Sequence, residues 1–324
     1  MDELNKIIGS YFDEIGYSDV DDFNDVKKMA EVILSVREPR FLDKIKNRFG
    51  INKSIELAYE FFDDFDIEYG DYFIDRLRSN SFIFKKVNKN SPENPYSYFD
   101  YDEGRNRIYI PFQNDICDSF ALVHETFHDT NLDINNLNIT RNIFTEYISM
   151  FGEFLLEDFV RDNYDIKCKA NNNYSFNVCF IKALKVDFQI NLIKCYLEKG
   201  SLNKFYFNSI INEYDKKYHG LLYQICYRII NDKNLNFDYE MRYLYGILLS
   251  CYSYDKLLNN DFDIDIFKYL NANINYLYPE EFYDYLGLDV IDDYNLLLSP
   301  ESYDKLGNSY VKVMNNRWFL CTKV

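Results

Sequence analysis

Only three histidines occur among 324 residues, so each one carries weight. Other absences narrow the field first. Glycine (11) and proline (6) are few and no low-complexity tract stands out, which excludes a disordered or fibrous chain. Nowhere do about 18 uncharged apolar residues run together, so no membrane span is expected. Cys117, Cys168, Cys179, Cys195, Cys226, Cys251 and Cys321 are odd in number, scattered and without a CxxC pair. They read as reduced thiols, most of them small core residues. Basic residues number 36 against 53 acidic, for a net charge of −17, and no Lys/Arg cluster offsets that field. A phosphate backbone would be repelled, so no nucleic-acid partner is expected. The acidic surface is solubilising, and a preference for basic or unfolded peptides is the sharper reading. The N-terminus, MDELNKIIGSYFDEIGYSD, is acidic and lacks an apolar stretch of signal-peptide length. The expected location is cytoplasmic, with secretion by a route that needs no signal peptide left open.

What the chain has in quantity is apolar bulk, with 47% hydrophobic residues, 31 Tyr and 28 Phe. A core built from large rings follows, sized for one large domain or two modest ones. Residues 1–88 read as amphipathic helices. Ile7, Ile8, Tyr11, Phe12 and Ile15 repeat at helical spacing, as do Met29, Val32, Ile33 and Val36. Pro39 breaks the second, and residues 41–49 and 54–65 resume the pattern. The polar stretch Asn88–Pro95 is the candidate boundary between an N-terminal helical region (1–88) and the remainder (89–324), although the two could be continuous. Beyond it, Tyr96–Tyr101 and Arg107–Pro111 flank a turn-like segment and read as a β-hairpin whose second strand ends at Pro111. An edge strand there could take an extended peptide through backbone hydrogen bonds, and an ordinary structural hairpin is the plainer reading. Asn114-Asp115 offers an N-cap for a helix over Ile116–Asp129, and a second, strongly apolar helix spans Arg141–Val160. Most of the rest is helical, with short strands expected at Ser309–Val313 and Trp318–Leu320. The fold class is therefore mainly α with a small β-hairpin beside a buried helix.

Two of the three histidines fall in His124-Glu125-Thr126-Phe127-His128, an H-E-x-x-H pattern. On a helix these histidines stand one turn apart on one face, so both imidazoles reach one ion. Zn²⁺ accepts neutral imidazole nitrogen and leaves room for further ligands. Glu125 then points toward the open position, where it takes a proton from water. The pattern occurs by chance on charged surface helices, but Phe120, Ala121, Leu122, Val123 and Phe127 make this helix apolar. A buried His-Glu-His cluster holds a metal or is satisfied within a core network. Zinc needs a third protein ligand, and Glu146 is the strongest candidate, 18 residues beyond His128 on the apolar helix. Glu146, Ser149 and Glu153 share one face of it at i, i+3 and i+7. Ser149 and Glu153 read as residues behind the ligands, where a carboxylate fixes a ligating ring by accepting its free N–H. Glu153 is equally a part-exposed residue near a helix end, and Asp129 leans toward solvent or a cap.

These residues carry a resemblance. The segment Phe144–Leu155 looks like the E-x-x-S-x-x-x-E helix of the oligoendopeptidase F / thimet oligopeptidase family, which follows H-E-x-x-H and supplies a glutamate ligand. Tyr239–Ser250 resembles the tyrosine-rich segment, ending in Gly, that borders the family's substrate cleft. The resemblance covers roughly residues 105–160 and, more loosely, 237–255. It implies a mostly helical, zincin-like fold with a deep cleft and a zinc-dependent endopeptidase of the gluzincin type acting on short peptides. Departures accompany it. A small residue, often Gly, usually stands where this chain has Phe127. The loop from His128 to Glu146 is short, and the chain is shorter than typical members. His219 lies too far ahead of the tyrosine segment to match the family's histidine.

The expected chemistry is peptide-bond hydrolysis at one Zn²⁺ held by His124, His128 and Glu146, with Glu125 as general base. The developing oxyanion needs a second donor, for which Tyr243 or Tyr245 is the first choice, with Tyr239 and His219 behind. Two rival readings stand beside this one: a narrow regulatory metalloprotease that cuts one protein partner, and a non-catalytic zincin-fold binding or effector protein.

Overall fold

The computed structural model describes residues 1–15, 23–36, 49–87, 93–131, 139–164, 172–235, 237–292 and 297–322. The elements run in the order α1 (Asp2–Ile15), α2 (Asn24–Ser35), α3 (Ile51–Phe65), α4 (Ile67–Arg78), β1 (Phe82–Lys86), β2 (Tyr96–Asp100), β3 (Arg105–Phe112), α5 (Cys117–Thr130), α6 (Ile139–Asn163) and α7 (Asn172–Lys199). Then follow α8 (Lys204–Asn212), α9 (His219–Asp232), α10 (Phe237–Leu258), α11 (Ile264–Asn273), α12 (Pro279–Leu286), β4 (Val290–Asp292), β5 (Leu297–Leu298) and α13 (Pro300–Thr322). The expected class holds: mainly α with a small sheet packed against α5. Among the described residues no helix is long and apolar enough to cross a membrane.

The chain clusters into two compact units. One comprises Met1–Glu38 with Val178–Tyr245, and the other Pro39–Asn177 with Gly246–Val324. The polar stretch at Asn88–Pro95 falls inside the second unit, and its residues 88–92, like residues 41–48 of the expected helical pattern, lie outside the described residues. In the first unit, Leu4, Ile7 and Ile8 of α1 and Val26, Met29, Ala30 and Ile33 of α2 are buried, as helical spacing requires. Cys179 and Cys226 lie in the same core, and Cys251 in that of the second unit.

The second unit holds the sheet, in the order β1-β3-β2. β2 and β3 form the expected antiparallel hairpin, with Ser97 opposite Ile108. The first strand, β1, runs parallel to β3 (Phe82 opposite Ile108) and corrects the all-helical reading of residues 1–88. Its partner is 26 positions away, so no local pattern announces it. With β1 in place β3 is central, and β1 and β2 are the two edge strands of this sheet among the described residues. Pro111 sits opposite Lys85 in the parallel pairing, so β3 runs on to Phe112 rather than stopping at the proline.

A second correction concerns the C-terminal segment. Ser309–Val313 and Trp318–Leu320 lie within α13, not in strands. Tyr303, Leu306, Tyr310, Val313 and Met314 are buried at spacings of three and four, so packing on a helical stripe overrides the β-branched texture. Asp255 of α10 receives the Ser309 hydroxyl at 3.0 Å and the Lys312 ammonium at 2.6 Å.

Helices α5 and α6 make the central pair. Leu122, Val123 and Phe127 of α5 are fully buried, and α6 is buried on most of its circumference, including Tyr147, Ile148 and Phe151. Gly152 of α6 is what lets them approach. A Cβ there would stand 2.3 Å from Phe127 Cε2 and 2.5 Å from its Cδ2. The Phe127 ring also meets Phe62 at 5.4 Å, Tyr69 at 5.8 Å and Phe267 at 5.7 Å between centroids. Gly246 plays the same part for α10, where a Cβ would come within 2.9 Å of Glu146 Cβ. Ser250 closes that contact by donating to the Tyr147 carbonyl at 3.1 Å, and Tyr147 donates to Ser253 at 3.0 Å.

Candidate metal centre

The start of α5 is fixed by a residue the sequence reading passed over. Asp115 accepts the Cys117 N–H at 2.9 Å, but Asp118, inside the first turn, does more. Its buried carboxylate accepts the N–H groups of Gln113 (3.0 Å), Asn114 (2.8 Å) and Asp115 (3.2 Å), which hold the β3–α5 turn. Burial pushes the Asp118 carboxyl up to about 6, against the downward pull of those backbone donors. Asn114 is left-handed at φ +60°, a conformation Asn tolerates, rather than a helix cap.

One turn apart on the same face, His124 and His128 bring their Nε2 atoms to 3.0 Å. Each Nε2 lies 3.7 Å from Glu146 Oε2, which α6 delivers from the opposite side, with Glu146 buried to 1% exposure. One ligand atom from each of the three residues falls within 4.8 Å of the others, a group that could hold a metal ion. The donor set fits zinc in kind: two neutral imidazoles and a carboxylate. It fits in size too, because ligand atoms about 2.0–2.2 Å from a tetrahedral ion stand roughly 3.3 Å apart.

Glu153, two turns beyond Glu146, reaches His124 Nδ1 at 2.7 Å. A carboxylate there puts a ring proton on Nδ1 and leaves the Nε2 lone pair facing Glu146 and His128. Burial disfavours charge on His124, but the Glu153 hydrogen bond and the charges of Glu153, Glu125 and Glu146 outweigh it and push its pKa up to about 9. Surroundings that hold a proton this firmly also favour a cation in its place. Ser149 is fully buried on the same face, and its hydroxyl makes no hydrogen bond among the described residues.

Glu125 is buried at 4% exposure on the sheet side of α5. Ser97 of β2 stands 2.9 Å from its Oε2. No local signal marks Ser97, which lies 28 residues away in sequence and reaches Glu125 only through the fold. Asp129 turns inward rather than to solvent or a cap. Its carboxylate pairs with Arg76 Nε at 2.8 Å and accepts the Tyr72 hydroxyl at 2.7 Å, tying the end of α5 to α4. Phe127, the bulky departure from the family pattern, fills the ring cluster and the slot left by Gly152, so its volume goes into the core.

The tyrosine segment lies on α10, with Tyr239, Tyr243 and Tyr245 in the first compact unit. Tyr245 is buried and Tyr239 exposed. The Tyr239 and Tyr243 hydroxyls are 3.2 Å apart, Arg242 donates to the Tyr243 hydroxyl at 3.2 Å, and Lys182 and Arg242 lie over both rings. His219 begins α9 with Nε2 3.0 Å from the Tyr214 carbonyl, the contact of a turn-fixing residue.

No family model matches this sequence, and no curated protein is similar to it. Solved structures are. A provisionally assigned peptidase from Chlamydophila abortus superposes with a TM-score of 0.57 at 16% identity over 98% of this chain. A provisionally assigned oligoendopeptidase F from Bacillus anthracis str. Ames gives 0.54 at 12% identity, again over 98%. The chain spans 55% and 56% of those two chains. At such identities the likeness is one of fold: this chain has the fold of those peptidases.

Proposed function

We propose that this chain is a zinc-dependent peptidase that hydrolyses peptide bonds, acting on short or unfolded peptides. The observation that carries the reading is the convergence of His124 Nε2, His128 Nε2 and Glu146 Oε2, with a buried glutamate in the same helix turn. The peptidase fold of the two structural neighbours supports it.

His124 and His128 would hold the ion through their Nε2 atoms and Glu146 through a carboxylate oxygen. When bound, Zn²⁺ supplies a Lewis acid for the scissile carbonyl and lowers the pKa of water. Glu153 keeps the His124 ring in one tautomer and orientation. Glu125 takes the proton from the attacking water and passes it to the leaving amine. The open edge of β2 would pair with the extended peptide backbone beside that glutamate. Glu125→Gln tests the reading most simply: zinc content should match the wild type while cleavage of a peptide pool is lost. Undiminished cleavage by that variant would remove the general-base role.

A further inference from the structure

Edge strand β2 carries a hydroxyl that rests on the carboxylate at the heart of the proposed chemistry. Ser97 Oγ lies 2.9 Å from Glu125 Oε2 and 2.9 Å from the Glu125 carbonyl oxygen. A serine hydroxyl has one proton, and both acceptors within its reach belong to the same glutamate. Strand alternation sends Tyr96 and Tyr98 to the other face, where their rings meet at 5.6 Å, and leaves Ser97 facing α5. The contact is asymmetric. Oε2 receives the hydroxyl, whereas Glu125 Oε1 accepts no hydrogen bond among the described residues.

We propose that Ser97 is a positioning residue for Glu125, a role that rests on the peptidase reading above. Its hydroxyl engages Oε2 through a charge-assisted hydrogen bond, fixes the plane of the carboxylate and leaves Oε1 to exchange protons with water. The second acceptor, the Glu125 carbonyl, keeps Ser97 over the helix while that exchange proceeds. One side chain thus couples the strand that would receive a peptide to the orientation of the base that acts on it. A general base must sit within hydrogen-bond reach of the proton it takes, and a shift of about 1 Å costs on the order of 100-fold in rate.

Ser97→Val and Ser97→Thr make the decisive pair, because they share a shape, suit a strand and differ in the hydroxyl. S97V should lower kcat by roughly 10- to 100-fold with KM within about twofold, from the loss of one hydrogen bond to a charged group. S97T should restore most of kcat. Zinc content should be the same in all three proteins. Crystal structures of the metal-free proteins give a readout apart from activity: the Glu125 carboxylate should leave its wild-type position in S97V and keep it in S97T. An S97V enzyme with kcat within twofold of wild type, or an unmoved Glu125 in its crystal structure, would overturn the role of Ser97 alone. A wild-type protein that holds zinc and cleaves no peptide would instead refute the peptidase reading, and the positioning role with it.

Discussion

Gly152→Ala is the substitution whose consequence the structure fixes most closely. The added methyl would sit 2.3 Å and 2.5 Å from two carbons of the Phe127 ring, where ordinary contact needs about 3.5 Å or more. Either the ring or helix α6 must therefore move by roughly 1 Å. The ring has nowhere to go, being fully buried against Phe62, Tyr69 and Phe267. Overpacking of this kind costs about 1–3 kcal/mol, and the helix-propensity gain of Ala over Gly returns at most about 1 kcal/mol. A net loss of up to about 2 kcal/mol follows, read as a lower urea midpoint with an unchanged slope. Movement of α6 also carries Glu146 away from His124 and His128. Ligand distances tolerate only about 0.2 Å, so zinc affinity should fall together with stability. The sign should reverse when the ring is absent. Phe127→Ala alone should cost about 3–5 kcal/mol, and in that background Gly152→Ala should stabilise through propensity. Additive effects in this double-mutant cycle would refute the packing argument.

Two further outcomes follow from buried charge. Arg76→Met leaves the Asp129 carboxylate, fully buried at its side chain, without its cation, and should cost about 3 kcal/mol by denaturant unfolding; a loss below about 0.5 kcal/mol would mean the pair contributes little. In the metal-free protein, His124 has a folded pKa raised to about 9 from an ordinary 6.5. A raised pKa means stability present in full below pH 6.5 and lost as pH climbs through 9, on the order of 3 kcal/mol. Urea midpoints of chelated protein should fall across that window and stay flat in His124→Asn; the same slope in both proteins would count against His124 as its source.

The parts legible in the sequence were those with local periodicity. His124 and His128 share a face because they are four apart, and Glu146 stands out as the carboxylate within the largely apolar stretch 143–151 of α6. The β2–β3 hairpin is bounded by its own turn. Where a contact depends on a partner distant in sequence, no pattern announces it. Strand β1 needs β3 to exist as a strand, Ser97 needs the sheet laid on α5, and Asp129 is turned inward by Arg76 and Tyr72 of α4. The C-terminal segment shows the opposite failure, since its β-branched texture is local and a helical stripe of buried residues prevails over it. Phe127 shows why a departure from a family pattern needs its neighbours: its bulk is matched by the bare backbone of Gly152, not by a narrowed site.

The central claim is that His124, His128 and Glu146 together hold one zinc ion. Elemental analysis of the purified protein and of Glu146→Ala, each equilibrated at the same limiting free zinc, tests it directly. About one zinc per chain in the wild type and a clear loss in the variant is the expected result. A wild type that retains no zinc, or a Glu146→Ala protein that retains as much, would contradict it.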